Sequence, residues 1–148
     1  MTGRADISLL FDLFVTSQRI RRVLSEAMAE SGMRPDEYAV YSLLFDKGPL
    51  TATEMSEALG IPLTTVLDYV KAMSSDGHVD RMPHPADGRA LQLHLTRSGL
   101  AAHRRAHDHW EVVRKQIEGN LSMPAGQVRR ALRALGEAAN MIAVPSRR

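Results

Sequence analysis

Apolar residues recur at helical spacing from Ile7 through Leu10, Phe11, Phe14, Ile20, Val23, Leu24 and Ala27, with Arg19, Arg21, Arg22 and Glu26 between them. That period predicts a long first helix, with Gly32 as a suitable stop. Pro35 fits the first turn of a second helix, which carries Ala39, Val40, Leu43 and Leu44 on one side and ends before Gly48 and Pro49. Thr51, Ala52, Thr53 and Glu54 form a capping-box pattern, because the threonine hydroxyl and the glutamate carboxylate can each satisfy a free backbone N–H. A third helix therefore starts there and stops at Gly60. After Ile61 and Pro62 a fourth helix is predicted, with Leu63, Val66, Leu67, Val70 and Met73 inward and Thr64, Thr65, Asp68, Lys71 and Ala72 on the opposite side. It ends around Asp76 and Gly77.

The period then changes to two. Leu91, Leu93 and Leu95 alternate with Ala90, Gln92 and His94, which predicts a half-buried strand, with Val79 to Met82 as its partner and Pro83 to Arg89 as the hairpin tip. Helical spacing returns after Thr96, which can cap a long fifth helix through Ala106, Trp110, Val113 and Ile117. A sixth helix starts near Ser122 and spaces Val128, Leu132, Leu135, Ala139 and Ile142 by fours and threes, a seam for packing against another helix. No internal repeat or low-complexity tract interrupts the order, and Pro145 to Arg148 read as a tail.

Two short helices joined by a glycine-containing turn and followed by a hairpin make a winged helix-turn-helix, whose second helix can enter a major groove. The expected fold is mainly α with a small β-hairpin wing. A reading head over 35–96 is joined to a helical dimerisation layer over 5–32 and 97–143, and 1–148 form one functional unit. A single recognition helix covers few base pairs, so a homodimer is expected.

Composition narrows the chemistry. The formal charge of +2 permits a nucleic-acid surface without demanding one, so the distribution of charge decides. With no cysteine in 148 residues, disulfides, thiolate catalysis and zinc-thiolate sites are excluded. The absence of cysteine also suits a cytoplasmic protein. Arg4, Asp6, Asp12 and Arg19 break up the N-terminal apolar residues, so neither a signal-peptide core nor a membrane-length run is expected there.

Thr51 to Thr96, ending in HPADGRALQLHLTRSG, resembles the core of the MarR family of bacterial regulators. The strongest matches are the Asp87, Gly88, Arg89 wing and the Leu95, Thr96, Gly99 run that opens the next helix. The resemblance implies a sequence-specific double-stranded DNA-binding transcriptional regulator and not an enzyme, a repressor released by a small aromatic or phenolic ligand, with no cofactor. It also implies that Arg89 enters a minor groove and that Asp87 holds it in position, and a narrow minor groove does concentrate the negative potential that favours a guanidinium. The plainer reading of that pair is an exposed Asp87–Arg89 ion pair stiffening a turn. Thr64, Thr65 and Lys71 are placed to bond phosphates or base edges. Asp68 and Ala72 stand where many members carry basic or long polar residues, and Asp68 can accept from a cytosine amino group. Gly88 stands where a second wing arginine is common, and His84 replaces a common aspartate.

The resemblance further implies a ligand cleft between head and dimer layer. Phe11, Phe14, Tyr38, Tyr41 and Trp110 are candidate walls for it, although aromatics at helical period more often pack in a core. His103 and His107 lie four apart on one helix face with His109 nearby, a spacing that can chelate zinc. The plainer reading is a solvated surface pair, and a third is a pH response. The alternatives are therefore a zinc-responsive regulator of the same fold or a winged-helix module that binds protein. An enzyme built on His103, His107, Asp108 and Glu111 lacks any motif such as HExxH.

Overall fold

The computed structural model describes residues 8–142. Its order is α1 (Leu9–Met28), a 3₁₀ turn (Ala29–Ser31), α2 (Pro35–Lys47), β1 (Leu50–Thr51), α3 (Ala52–Leu59), α4 (Leu63–Ser75), β2 (Val79–Pro83), β3 (Leu91–Leu95), α5 (Arg97–Gly119) and α6 (Ala125–Asn140). This is the expected class, mainly helical with one small antiparallel sheet. The chain divides into two compact units, Met1–Glu111 and Val112–Arg148.

Local chemistry sets the boundaries in the first unit. Ser8 caps α1 by accepting from the Phe11 N–H at 3.1 Å; Ile7, where the apolar period begins, lies outside the described residues. Thr51 Oγ1 accepts from the Glu54 N–H at 3.1 Å while Glu54 Oε2 accepts from the Thr51 N–H at 2.8 Å, so the capping box forms. Gly60 closes α3 at φ 65°, a left-handed conformation that glycine adopts without steric cost.

The sheet has order β1-β3-β2. The hairpin runs in register from Val79 opposite Leu95 to Pro83 opposite Leu91. Leu50 and Thr51 add a third strand against Leu93 and Gln92, too short to show a period in sequence. Of the three alternating leucines only Leu93 is buried; Leu95 is half-buried and Leu91 is exposed, because the hairpin extends beyond the core towards its tip.

The core joins Met28, Tyr38, Val40, Tyr41, Leu44, Met55, Val66, Val70, Met73, Val79, Leu93, Ala102 and Ala106. Thr96 ties the hairpin to α5: its hydroxyl donates to the Gly77 carbonyl at 2.6 Å and accepts from the Gly99 N–H at 3.1 Å. Gly99 is buried, and a Cβ there would overlap the His78 carbonyl, which explains why the helix opens with glycine at that position.

In the second unit α6 begins after Pro124, three residues beyond the expected start near Ser122, and ends at Asn140, before Ile142. It contains no buried residue, and Leu132 is 52% exposed at the middle of its apolar seam.

Candidate nucleic-acid interface

Helices α3 and α4 form the helix-turn-helix. The tight turn between them is held by the Ser56 hydroxyl, which donates to the Ile61 carbonyl at 2.7 Å. Val66, Val70 and Met73 anchor α4 in the core. Thr64, Asp68, Lys71 and Ala72 are exposed together on its outer side, and Thr65 is half-buried. The expectation that Leu63 and Leu67 face inward is overturned: they are 41% and 49% exposed. On a helix that turns about 100° per residue, the two leucines lie at the margin of the apolar arc, past the point where the core ends.

They face the wing instead. Leu63, Leu67 and Val70 line one side of an open groove of about 370 Å³, whose other walls include Thr53, Arg81, Arg89 and Leu91. Arg81 pairs in register with Leu93, so it leaves the sheet on the face that also carries Leu91. Sequence reasoning missed Arg81. The period of two in a strand that starts at Val79 carries the signal, because it puts 79, 81 and 83 on one face, as the register shows.

The wing tip is a compact hydrogen-bonded turn. The Ala86 and Asp87 N–H groups both donate to His84 Nδ1, at 3.0 and 3.2 Å, and the Arg89 N–H donates to Asp87 Oδ1 at 3.1 Å. At position 84 the acceptor is an imidazole nitrogen. Asp87 holds Arg89 through its backbone, so the plainer reading as a simple ion pair does not describe this turn. Among the described residues no carboxylate is paired with the Arg89 guanidinium. A Cβ at Gly88 would meet open space, so the lack of a second wing arginine there has no steric cause.

The candidate ligand walls separate into two groups. Tyr38 and Tyr41 are buried and Trp110 is half-buried, with the Tyr38 and Trp110 rings 4.5 Å apart. These three follow the core reading. Phe11 and Phe14 do not: they are 45% and 64% exposed on α1. Burial pushes the Tyr41 hydroxyl up to about 12, with smaller contributions from Asp76 and Glu37, so it is a neutral donor or acceptor, 2.7 Å from His78 Nδ1.

The histidine pair is not a solvated surface pair. His103 is buried, stacked on Tyr38 and Phe45, with Nε2 3.1 Å from the Ser42 hydroxyl. His107 Nδ1 lies 2.8 Å from the Tyr38 hydroxyl. Each imidazole thus has one ring nitrogen engaged by a hydroxyl. Among the described residues no three His, Cys, Asp or Glu side chains form a group that could hold a metal ion.

A family model for sugar-specific transcriptional regulators, TrmB, matches residues 28–87, the α2-to-wing segment. An uncharacterised HTH-type transcriptional regulator of Mycobacterium leprae is 26% identical over 113 residues, covering 74% of this chain and 79% of the relative. Among solved structures, the Mycobacterium tuberculosis regulator MosR in complex with DNA superposes with TM-score 0.77 at 23% identity, over 90% of this chain and 96% of that one. A mutant Escherichia coli MarR complexed with operator DNA gives TM-score 0.74 at 21% identity, over 93% and 99%. CouR of Rhodococcus jostii bound to p-coumaroyl-CoA gives TM-score 0.79 at 17% identity, over 97% and 100%. The Mycobacterium leprae relative and MosR are both described as transcriptional regulators.

Proposed function

We propose that this chain, which has the fold of the MarR-type winged-helix regulators, is a homodimeric, sequence-specific double-stranded DNA-binding transcriptional repressor released by a small-molecule ligand. One observation carries the DNA reading: an outer helix face with Thr64, Asp68 and Lys71 stands beside a wing whose Arg89 is held by its backbone and left without a carboxylate partner among the described residues. A helix of that size fits a major groove, and a guanidinium on a projecting hairpin fits the adjacent minor groove or backbone. That neighbours of the same fold were solved with DNA supports the reading.

Exposed apolar residues support the dimer. Leu9, Leu10 and Phe14 on α1, and Leu132 on α6, are left to water in a single chain. Apolar faces of this kind are covered most simply by a second copy. Repression is the simplest action of such a dimer, since occupying a promoter needs no further domain. The ligand reading rests on the neighbour bound to p-coumaroyl-CoA. Phe11 and Phe14 are exposed candidate walls, while Tyr38 and Tyr41 pack in the core with Trp110 against it, and Tyr41 also lines a small cavity with Glu37, Tyr69 and Asp76. No helix among the described residues is long and apolar enough to cross a membrane.

The test is a fluorescence-anisotropy titration of duplex DNA from upstream of the chain's own coding sequence, against a scrambled duplex of equal length at one fixed salt concentration. Tight, sequence-dependent binding is expected. Equal weak binding to both duplexes contradicts autoregulation by this head.

A further inference from the structure

The groove between α4 and the wing contains a feature that phosphate binding does not use. Leu63 and Leu67 lie one turn apart on the wing-side flank of α4, next to the outer face that carries Thr64, Asp68 and Lys71. Val66, Val70 and Met73 already close the core side of the helix, so the two leucines are surplus to core packing. Whatever covers them must present apolar spots and negative charge together, because Arg81 and Arg89 line the same groove. A wholly apolar partner would leave two guanidiniums without counter-charges. A duplex supplies both features: phosphates along its edge, and the 5-methyl group of thymine on the floor of the major groove.

We propose that Leu63 and Leu67 read thymine 5-methyl groups and that this chain's operator is selected in part by those methyls. The proposal rests on the DNA reading above and names the base chemistry it uses. Leu63 lies in the first turn of α4, the part of a recognition helix that reaches base edges. Asp68 follows Leu67 directly and is exposed, so an amino group on an adjacent adenine or cytosine can donate to it. The same surface offers few cations, so apolar contact and the acidic acceptor carry the discrimination, while Arg81 and Arg89 hold the backbone.

The experiment starts with selection from a random-sequence duplex library on the full-length chain. The recovered site is then synthesised with thymine, or with uracil, which lacks only the methyl, at each thymine in turn. Wild-type affinity should fall about fourfold for each contacted methyl removed, the value expected for one buried carbon. In Leu63→Ala and Leu67→Ala the thymine-over-uracil preference should disappear at the matching position, with the helical circular-dichroism signal unchanged because both sites are exposed. A recovered site that binds equally well with thymine and uracil overturns this proposal and leaves the DNA reading standing. A preference that survives in both alanine variants assigns the methyl to another side chain and overturns it as well. Selection that enriches no sequence contradicts the DNA reading itself, and this proposal with it.

Discussion

Asp87 holds Arg89 by the main chain: its Oδ1 accepts from the Arg89 N–H at 3.1 Å, which fixes where the residue leaves the wing, and among the described residues no carboxylate pairs with the Arg89 guanidinium. The same turn is braced from the other side by His84, whose Nδ1 accepts from the Ala86 and Asp87 N–H groups. Position and charge are therefore separable, and substitutions can remove one without the other.

Arg89→Ala removes the charge. DNA affinity should fall on operator and non-operator duplexes alike, and the slope of log affinity against log salt should drop by about one. Asp87→Ala, which frees the Arg89 N–H, should weaken binding, whereas Asp87→Asn should retain most of it because the amide oxygen still accepts. Anisotropy titrations at several salt concentrations measure both effects. An unchanged salt slope in Arg89→Ala would remove the wing from the mechanism.

Stability should depend on pH through His103. Burial, followed by the neighbouring His107, lowers its pKa below the ordinary 6.5, while Asp46 acts in the opposite sense. Between the lowered folded value and 6.5 the unfolded chain binds more protons than the folded one, so stability rises with pH there: this contribution is fully present above 6.5 and is lost as pH falls through that window. Urea midpoints measured from about pH 5 to about pH 8 should show this rise. His103→Gln should flatten it.

Thr51 and Gly99 stand at the starts of α3 and α5. Thr51→Ala removes the cap of α3 and should cost about 1 kcal/mol of unfolding free energy. Gly99→Ala puts a Cβ against the His78 carbonyl and should cost about 1–3 kcal/mol, as overpacking does. Urea unfolding of each variant checks the order, with Gly99→Ala at least as severe.

Phe14→Glu on α1 and Leu132→Glu on α6 place charge on apolar faces that are open to water in a single chain. If those faces pair two copies, each substitution should shift the sedimenting species from dimer to monomer and lower operator affinity in parallel. Wild-type protein sedimenting as a monomer at every concentration would contradict the dimer.

Much of this architecture can be read from local chemistry. Thr51 with Glu54, and Thr96 with Gly99, announce helix starts because a cap needs particular side chains at particular offsets, and both form as expected. Leu63 and Leu67 are misread for an equally physical reason. Apolar residues cover more of α4 than the core does, and a sequence does not show where the core ends and a groove begins. His103 is misread in the opposite direction. Its burial comes from Tyr38, Ser42 and Phe45, about sixty residues away on α2, and no pattern local to α5 reports that. The capping residues depend on neighbours in sequence; the leucines and the histidine depend on neighbours in space.

In the proposed function two copies of this head read one duplex. Chemical footprinting of the full-length chain on a library-selected duplex tests it most directly. A dimeric reader should give two protected major-groove segments related by a twofold axis and centred about one helical turn apart, roughly 34–36 Å, with minor-groove protection where the wings reach. A single protected segment would contradict the dimeric reader, and uniform protection with no boundary would contradict sequence-specific reading altogether.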